Sequence, residues 1–258
     1  MEYTTYDILK FKSGEIEVTL NGNSDLLFCK LYKDLNLSFT AAIIAITKLR
    51  KSIKSGIRLL MPFMPMSRSQ LHSTIDILQS LGVVELFTVD PHREITKNGI
   101  KIHNISLAVE VIRKVPIKLN DLVIVSPDSG GYKRAKNVAE ILNCNFICLD
   151  KIRVGNSVKH ILHDRDIVEN RPLLIVDDII DSGATINSAA QELAKCNVTS
   201  IDVVAIHGIF STINLSSKIR KIYITNTIDQ KLLKGVTVIN IDEIVMKKVG
   251  DIISTSNI

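Results

Sequence analysis

The residues with the most evident chemical potential lie in Leu173 to Thr185, LLIVDDIIDSGAT. An apolar run ends in two adjacent carboxylates, Asp177 and Asp178, and a stretch of small residues follows before a helix-like pattern begins. Strand alternation sends neighbouring carboxylates to opposite sides, so one or both can reach sugar hydroxyls or a hydrated Mg²⁺ at the strand's C-terminal edge. Asp181, Ser182, Gly183, Ala184 and Thr185 then offer backbone N–H groups and two hydroxyls where a helix begins, which makes a phosphate cradle. The bland alternative is a strand end, a Ser-Gly turn and a Thr185 helix cap. Carboxylates and hydroxyls arranged around a glycine in this order favour the functional reading.

Other segments hold chemistry-bearing residues that would pass unnoticed singly. Val125–Gly131, VSPDSGG, places Asp128 before paired glycines and ahead of Lys133 and Arg134; alone, Asp128 reads as a turn residue after Pro127. Thr88–His92, TVDPH, ends in a histidine that would otherwise be structural. In Asp150–Asn156, DKIRVGN, an extended chain projects Lys151 and Arg153 to the same side. Two cations there can clamp the charge that grows on a transferring phosphoryl group, although an isolated Lys-x-Arg is more simply a solvated basic turn. Phe11–Glu15, FKSGE, carries an aromatic that can stack on a base, with Ser13 and Glu15 for polar contacts.

The elements that must position these residues follow an α/β pattern. Leu122–Ser126 runs into Gly130–Gly131 and a helix over Arg134–Leu142, and Leu173–Val176 runs into the loop and a helix over Ile186–Lys195. Each strand is continuously apolar, as parallel strands covered on both faces are. Ile186, Ala189, Ala190 and Leu193 share one helix face. The first half predicts strands at Ile16–Leu20, Leu26–Leu31, Arg58–Phe63 and Glu85–Val89, with helices near Leu37–Ser52 and Leu71–Leu81. The polar stretch Arg93–Gly99 marks a boundary, giving domains at 1–104 and 105–258.

Composition narrows the function. At 258 residues and 46% hydrophobic, the chain can bury one large core or two modest ones. Met1–Glu15 has acidic residues and no apolar core, so it does not read as a signal peptide, and no apolar run is long enough for a bilayer; a cytoplasmic protein is expected. The four cysteines form no CxxC pair and read as buried free thiols. The net charge of +5, with Lys48, Arg50, Lys51, Lys54 and Arg58 close together, invites a nucleic-acid reading. Aromatics make up only 5% and do not interleave with those cations, so a solvated helix face is expected instead. A basic balance also suits phosphorylated substrates.

LLIVDDIIDSGAT resembles the PRPP-binding loop of phosphoribosyltransferases and of ribose-phosphate diphosphokinases (PRPP synthetases). By that resemblance Asp177 and Asp178 hold the ribose hydroxyls and their metal, and Asp181 to Thr185 hold the 5-phosphate. VSPDSGG, TVDPH and DKIRVGN resemble diphosphokinase segments, as do His207–Ser211 and Thr225–Ile228, which a simple transferase would not carry. The resemblance makes His92 and Asp128, with Asp177, the metal ligands, and Lys151 and Arg153 the catalytic cations. Phe11, Ser13 and Glu15 would contact adenine on a neighbouring subunit, which implies a homo-oligomer. Arg68 and Ser69 stand where the family has an Arg-Gln-Asp nucleotide site. The implied fold is two type I phosphoribosyltransferase-like α/β domains with largely parallel sheets and a site between them.

The implied reaction is Mg²⁺-dependent transfer of the β,γ-diphosphate of ATP to the anomeric hydroxyl of ribose 5-phosphate. Alternatives are the same chemistry on ADP-ribose, feeding NAD synthesis as in phage relatives, a phosphoribosyltransferase, and a non-catalytic synthetase-associated subunit. The chain departs from the family in three respects: Ala184 replaces a customary glycine, a first strand and helix are expected to be missing, and most of the loop after Arg68 is absent. Regulation by phosphate and ADP is therefore expected to differ from the family's.

Overall fold

The computed structural model describes residues 1–65, 70–93, 95–154, 157–212, 214–229 and 233–256. Arg68 and Ser69, and the Arg153 side chain, lie outside the described residues. In chain order the elements are β1 Thr5–Lys10, β2 Ile16–Asn21, β3 Leu26–Phe28, β4 Leu31–Tyr32, α1 Leu35–Leu49, β5 Ile57–Leu60, α2 Leu71–Ser80, β6 Val83–Val89 and β7 Lys101–Ile105. There follow α3 Ala108–Arg113, β8 Val123–Ser126, α4 Tyr132–Leu142, β9 Asn145–Cys148, β10 Asp150–Val154, β11 Ser157–Ile161, α5 Arg165–Val168, β12 Pro172–Ile180 and α6 Ala184–Leu193. The last are β13 Ser200–Gly208, β14 Lys221–Thr225, β15 Ile228–Asp229, β16 Val236–Ile239 and α7 Asp242–Ser256.

The chain forms two compact units: residues 1–106 with 227–229 and 241–258, and residues 107–226 with 230–240. The first unit holds a parallel sheet in the order β3-β5-β6-β7 and an antiparallel hairpin of β1 and β2. Its helix α1 starts at Asp34, whose carboxylate accepts the Leu37 N–H at 3.0 Å, and buries Phe39, Ala42, Ile46 and Leu49. The second unit holds a six-stranded parallel sheet, β16-β14-β13-β12-β8-β9, and the antiparallel hairpin of β10 and β11. Leu173–Val176 are all buried, as the unbroken apolar run predicts, and α6 buries Ile186, Ala189, Ala190 and Leu193, the face that its periodicity picks out. The fold is α/β with largely parallel sheets, as expected.

The first stretch of the first unit ends at Ser106, and β15 and α7 group with that unit. Strand β15 pairs with β4, Val245 and Val249 are buried, and Lys248 Nζ donates to the Ser106 carbonyl at 3.1 Å. Patterning along the chain cannot show such a return. In the basic cluster of the first unit Lys48, Lys51 and Lys54 are exposed, as a solvated face predicts, whereas Arg50 and Arg58 are partly buried. Lys48 donates to the Val18 carbonyl, Arg50 to that of Ile53, and Arg58 pairs with Asp25 at 2.6 Å. All four thiols are free; Cys29 and Cys196 are buried, whereas Cys144 and Cys148 are only half-buried. Burial pushes the Cys29 thiol up to about 12, which marks it as inert. Among the described residues no helix is long and apolar enough to cross a membrane.

Candidate active site

The second unit gathers several chemistry-bearing residues where three segments meet. Strand β12 pairs with β8 only from Leu173 to Ile175, while its pairing with β13 continues to Ile180. Asp177 and Asp178 therefore stand beyond the β8 pairing, next in line to the loop that leaves β8. Both are buried, and Asp177 Oδ1 accepts the Asp178 backbone N–H at 2.9 Å. Burial, reinforced by the Asp178 charge and by Asp128, holds the Asp177 carboxyl well above the usual carboxylate range. An Arg134 guanidinium nitrogen lies 3.9 Å from Asp178 Oδ1.

The loop after β8 wraps around Asp128. Its Oδ1 accepts the N–H groups of Gly130 and Gly131 at 3.0 and 3.3 Å, and Ser126 Oγ donates to its carbonyl at 2.7 Å. Gly131 is needed here because a Cβ would come within 2.9 Å of Ser126 Oγ. Lys151, on β10, donates to Asp128 Oδ2 at 2.8 Å and to Thr185 Oγ1 at 3.1 Å. Burial pushes the Asp128 carboxyl up, but the Lys151 ammonium and the two glycine N–H groups outweigh it and leave it below its ordinary value.

One ammonium thus ties together the β8 loop, the β10 strand and the first turn of α6. Asp150–Val154, expected as part of an extended loop, forms the first strand of a hairpin in which Lys151 faces His160.

The helix α6 opens from Gly183 at φ +78°, and the Asn187 N–H closes the first turn on the Gly183 carbonyl at 2.8 Å. Ser182 Oγ accepts the Ala184 N–H at 3.4 Å. Asn187, which the sequence did not single out, braces this turn: its amide donates to the Asn214 carbonyl and accepts the Ser216 N–H at 2.8 Å. A helix start with these N–H groups and hydroxyls can hold a phosphate. Any side chain at 183 needs a left-handed backbone, and a Cβ would lie 3.2 Å from the Asn214 carbonyl oxygen. Gly183→Ala should therefore destabilise the protein by about 1–2 kcal/mol, which thermal melts check.

The remaining sequence-predicted residues lie in the first unit. Phe11, Ser13 and Glu15 form the turn between β1 and β2, with the Phe11 N–H on the Glu15 carbonyl at 2.9 Å and Ser13 Oγ on Glu15 Oε2 at 2.9 Å. Phe11 is 47% exposed. His92 is exposed just after β6, two residues past a buried Asp90 at φ +34° that accepts the Ser106 hydroxyl at 3.1 Å. Such backbone strain on a non-glycine residue concentrates at functional segments.

Among the described residues no three His, Cys, Asp or Glu side chains converge as a ready-made metal cage. Mg²⁺ characteristically takes only one or two carboxylates and completes its shell with water and substrate phosphates. The crowded charge on Asp177, Asp178 and Asp128 is what a divalent cation would relieve, so these residues fit that ion.

Comparison with known proteins identifies the chain's family. The phosphoribosyl transferase domain family matches residues 93–245. The ribose-phosphate pyrophosphokinase of Thermotoga maritima is 26% identical over 264 residues, covering 93% of this chain and 84% of that one. The ribose-phosphate pyrophosphokinase of Pyrococcus furiosus is 28% identical over 247 residues, covering 90% and 88%. The crystal structure of phosphoribosylpyrophosphate synthetase from Mycobacterium smegmatis has the same fold, with a TM-score of 0.81 over 98% of this chain and 91% of that one, at 22% identity. With the domain matched over more than half its length and its relatives matched nearly end to end, the chain belongs to the phosphoribosyl transferase domain family, as a transferase of its ribose-phosphate diphosphokinase branch.

Proposed function

We propose that the chain makes PRPP and AMP from ATP and ribose 5-phosphate. The observation that carries this reading is the Lys151 ammonium on both Asp128 and Thr185, since it joins the ATP-side carboxylate to the sugar-phosphate loop. The 5-phosphate lies on Asp181 to Thr185 at the start of α6, and the ribose hydroxyls on Asp177 and Asp178. His92, Asp128, Arg68 and Ser69 serve the nucleotide, and the exposed Phe11, with Ser13 and Glu15, reaches adenine on a second copy, so a homo-oligomer is part of the proposal. The anomeric oxygen attacks the β-phosphorus and the bond from that phosphorus to the α,β-bridging oxygen breaks. AMP leaves with the bridging oxygen, and the hydroxyl proton passes to solvent. Lys151 and Arg153 stabilise the charge on the phosphoryl oxygens in flight. Asp128 and Asp177 would hold Mg²⁺, which would supply further neutralisation of the phosphates. A cytoplasmic location, where ATP is at hand, is part of the proposal.

The reading is tested by AMP release from Mg–ATP with ribose 5-phosphate, ADP-ribose or no acceptor. Ribose 5-phosphate is expected to give the highest kcat/KM. A preference of about tenfold for ADP-ribose, about 1.4 kcal/mol in transition-state terms, would move the acceptor assignment to the larger compound. Failure to release AMP with either acceptor would leave the chain in the non-catalytic class.

A further inference from the structure

His160 is buried at 5% exposure on β11, directly opposite Lys151 in the β10–β11 pairing. Residues opposite each other in an antiparallel pair share a face with their Cβ atoms about 5 Å apart, so the imidazole lies alongside the stem of Lys151. Leu162, just past the end of the strand, is buried in the core of the second unit. An apolar side chain at 160 would suit that setting. Instead there is an imidazole, and neither ring nitrogen forms a hydrogen bond with any described residue. The Pro127 carbonyl faces the ring without meeting hydrogen-bond geometry.

A buried polar group without a partner is costly, and packing alone gives no reason to keep it. The charged groups that face it are Lys151 on β10, Asp128 in the loop after β8 and Glu192 on α6. Burial, then the Lys151 charge, pushes the imidazole below its ordinary value, so the ring is neutral at neutral pH. A neutral ring adds no repulsion to the ammonium and keeps one nitrogen lone pair able to accept an N–H. The ammonium has three N–H groups, of which Asp128 and Thr185 take two.

We propose that His160 is a positioning residue for Lys151, a neutral wall and spare acceptor that keeps the ammonium at the meeting point of Asp128 and Thr185. The inference rests on the proposed catalytic role of Lys151. It assigns to His160 no contact with substrate.

Three variants and one chemical probe test it. His160→Leu removes the acceptor but keeps the bulk, so Tm should be unchanged or higher, while kcat falls about tenfold or more with KM nearly constant. His160→Gln, which restores an acceptor, should recover most of the kcat that Leu loses, and His160→Ala should lose kcat and Tm together. In the ligand-free protein, Lys151 of His160→Leu should be acylated several-fold faster by acetic anhydride, as read by peptide mass spectrometry. Wild-type kcat in His160→Leu, a lower Tm in it with kcat intact, or an unchanged Lys151 labelling rate would each overturn the role. If the wild-type protein releases no AMP, the failure belongs to the proposed function; the labelling rates still decide whether His160 holds Lys151.

Discussion

Lys151→Ala is expected to lower kcat by about 10²–10³, or about 2.7–4 kcal/mol, the usual loss for one preorganised donor to transition-state charge. The KM values for ATP and ribose 5-phosphate should change far less, because the ammonium is engaged by Asp128 and Thr185 before substrate arrives. Lys151→Arg keeps the charge but replaces a compact ammonium with a planar fork, so it should recover only part of the rate. The variant also has a stability signature. Asp128 lies below its ordinary value chiefly because Lys151 outweighs its burial, so its stabilising contribution is present above the unfolded carboxylate value of about 4. That contribution is lost as pH falls through the depressed folded value. Removing Lys151 should remove that acid-limb slope from a plot of stability against pH. Near-normal kcat together with an unaltered acid limb would show that Lys151 serves neither purpose.

Asp177→Asn is expected to act in opposite directions on stability and function. The Asp177 carboxyl is raised by burial and by its neighbour Asp178, so the unfolded chain ionises first as pH rises. Stability is therefore lost as pH climbs from about 4 through the raised folded value, and the ligand-free protein carries that cost at neutral pH. The amide keeps the shape without the charge. The variant should melt higher at pH 7.5, by about 2 °C or more for each kcal/mol relieved, and its stability should lose the corresponding pH slope. Added Mg²⁺ should raise the Tm of the wild-type protein and leave that of the variant nearly unmoved. Turnover should fall by several kcal/mol in transition-state terms, about 1.4 kcal/mol for each tenfold. A variant that melts lower, responds to Mg²⁺ normally and retains turnover would place the metal and the ribose elsewhere.

How much of this was legible in the sequence depended on whether the signal was local. Strand β12 and helix α6 could be read because an unbroken apolar run and a four-residue apolar face are properties of consecutive residues. Asp177, Asp178 and Gly183 stood out for the same reason. The conjunction of Asp128, Lys151 and Thr185 joins positions 23 and 34 residues apart, and no periodicity reports it. Strand β10 looked like a loop because Asp150, Lys151 and Arg153 make its five residues mostly charged, and its pairing with β11 is not written in them. Asn187 was invisible because its work is to brace a loop more than two dozen residues away. The assignment of α7 to the first unit likewise depends on a chain reversal, fixed by Val245, Val249 and Lys248 on residues far earlier in the sequence.

The central claim is that a diphosphate moves intact from ATP to the anomeric oxygen, and ³¹P NMR of the products tests it most directly. With Mg–ATP and ribose 5-phosphate, the account predicts AMP and a sugar carrying one 5-phosphate and one coupled pair of diphosphate resonances, formed one to one. The appearance of ADP or orthophosphate in place of that pair, with the sugar unchanged, would contradict it.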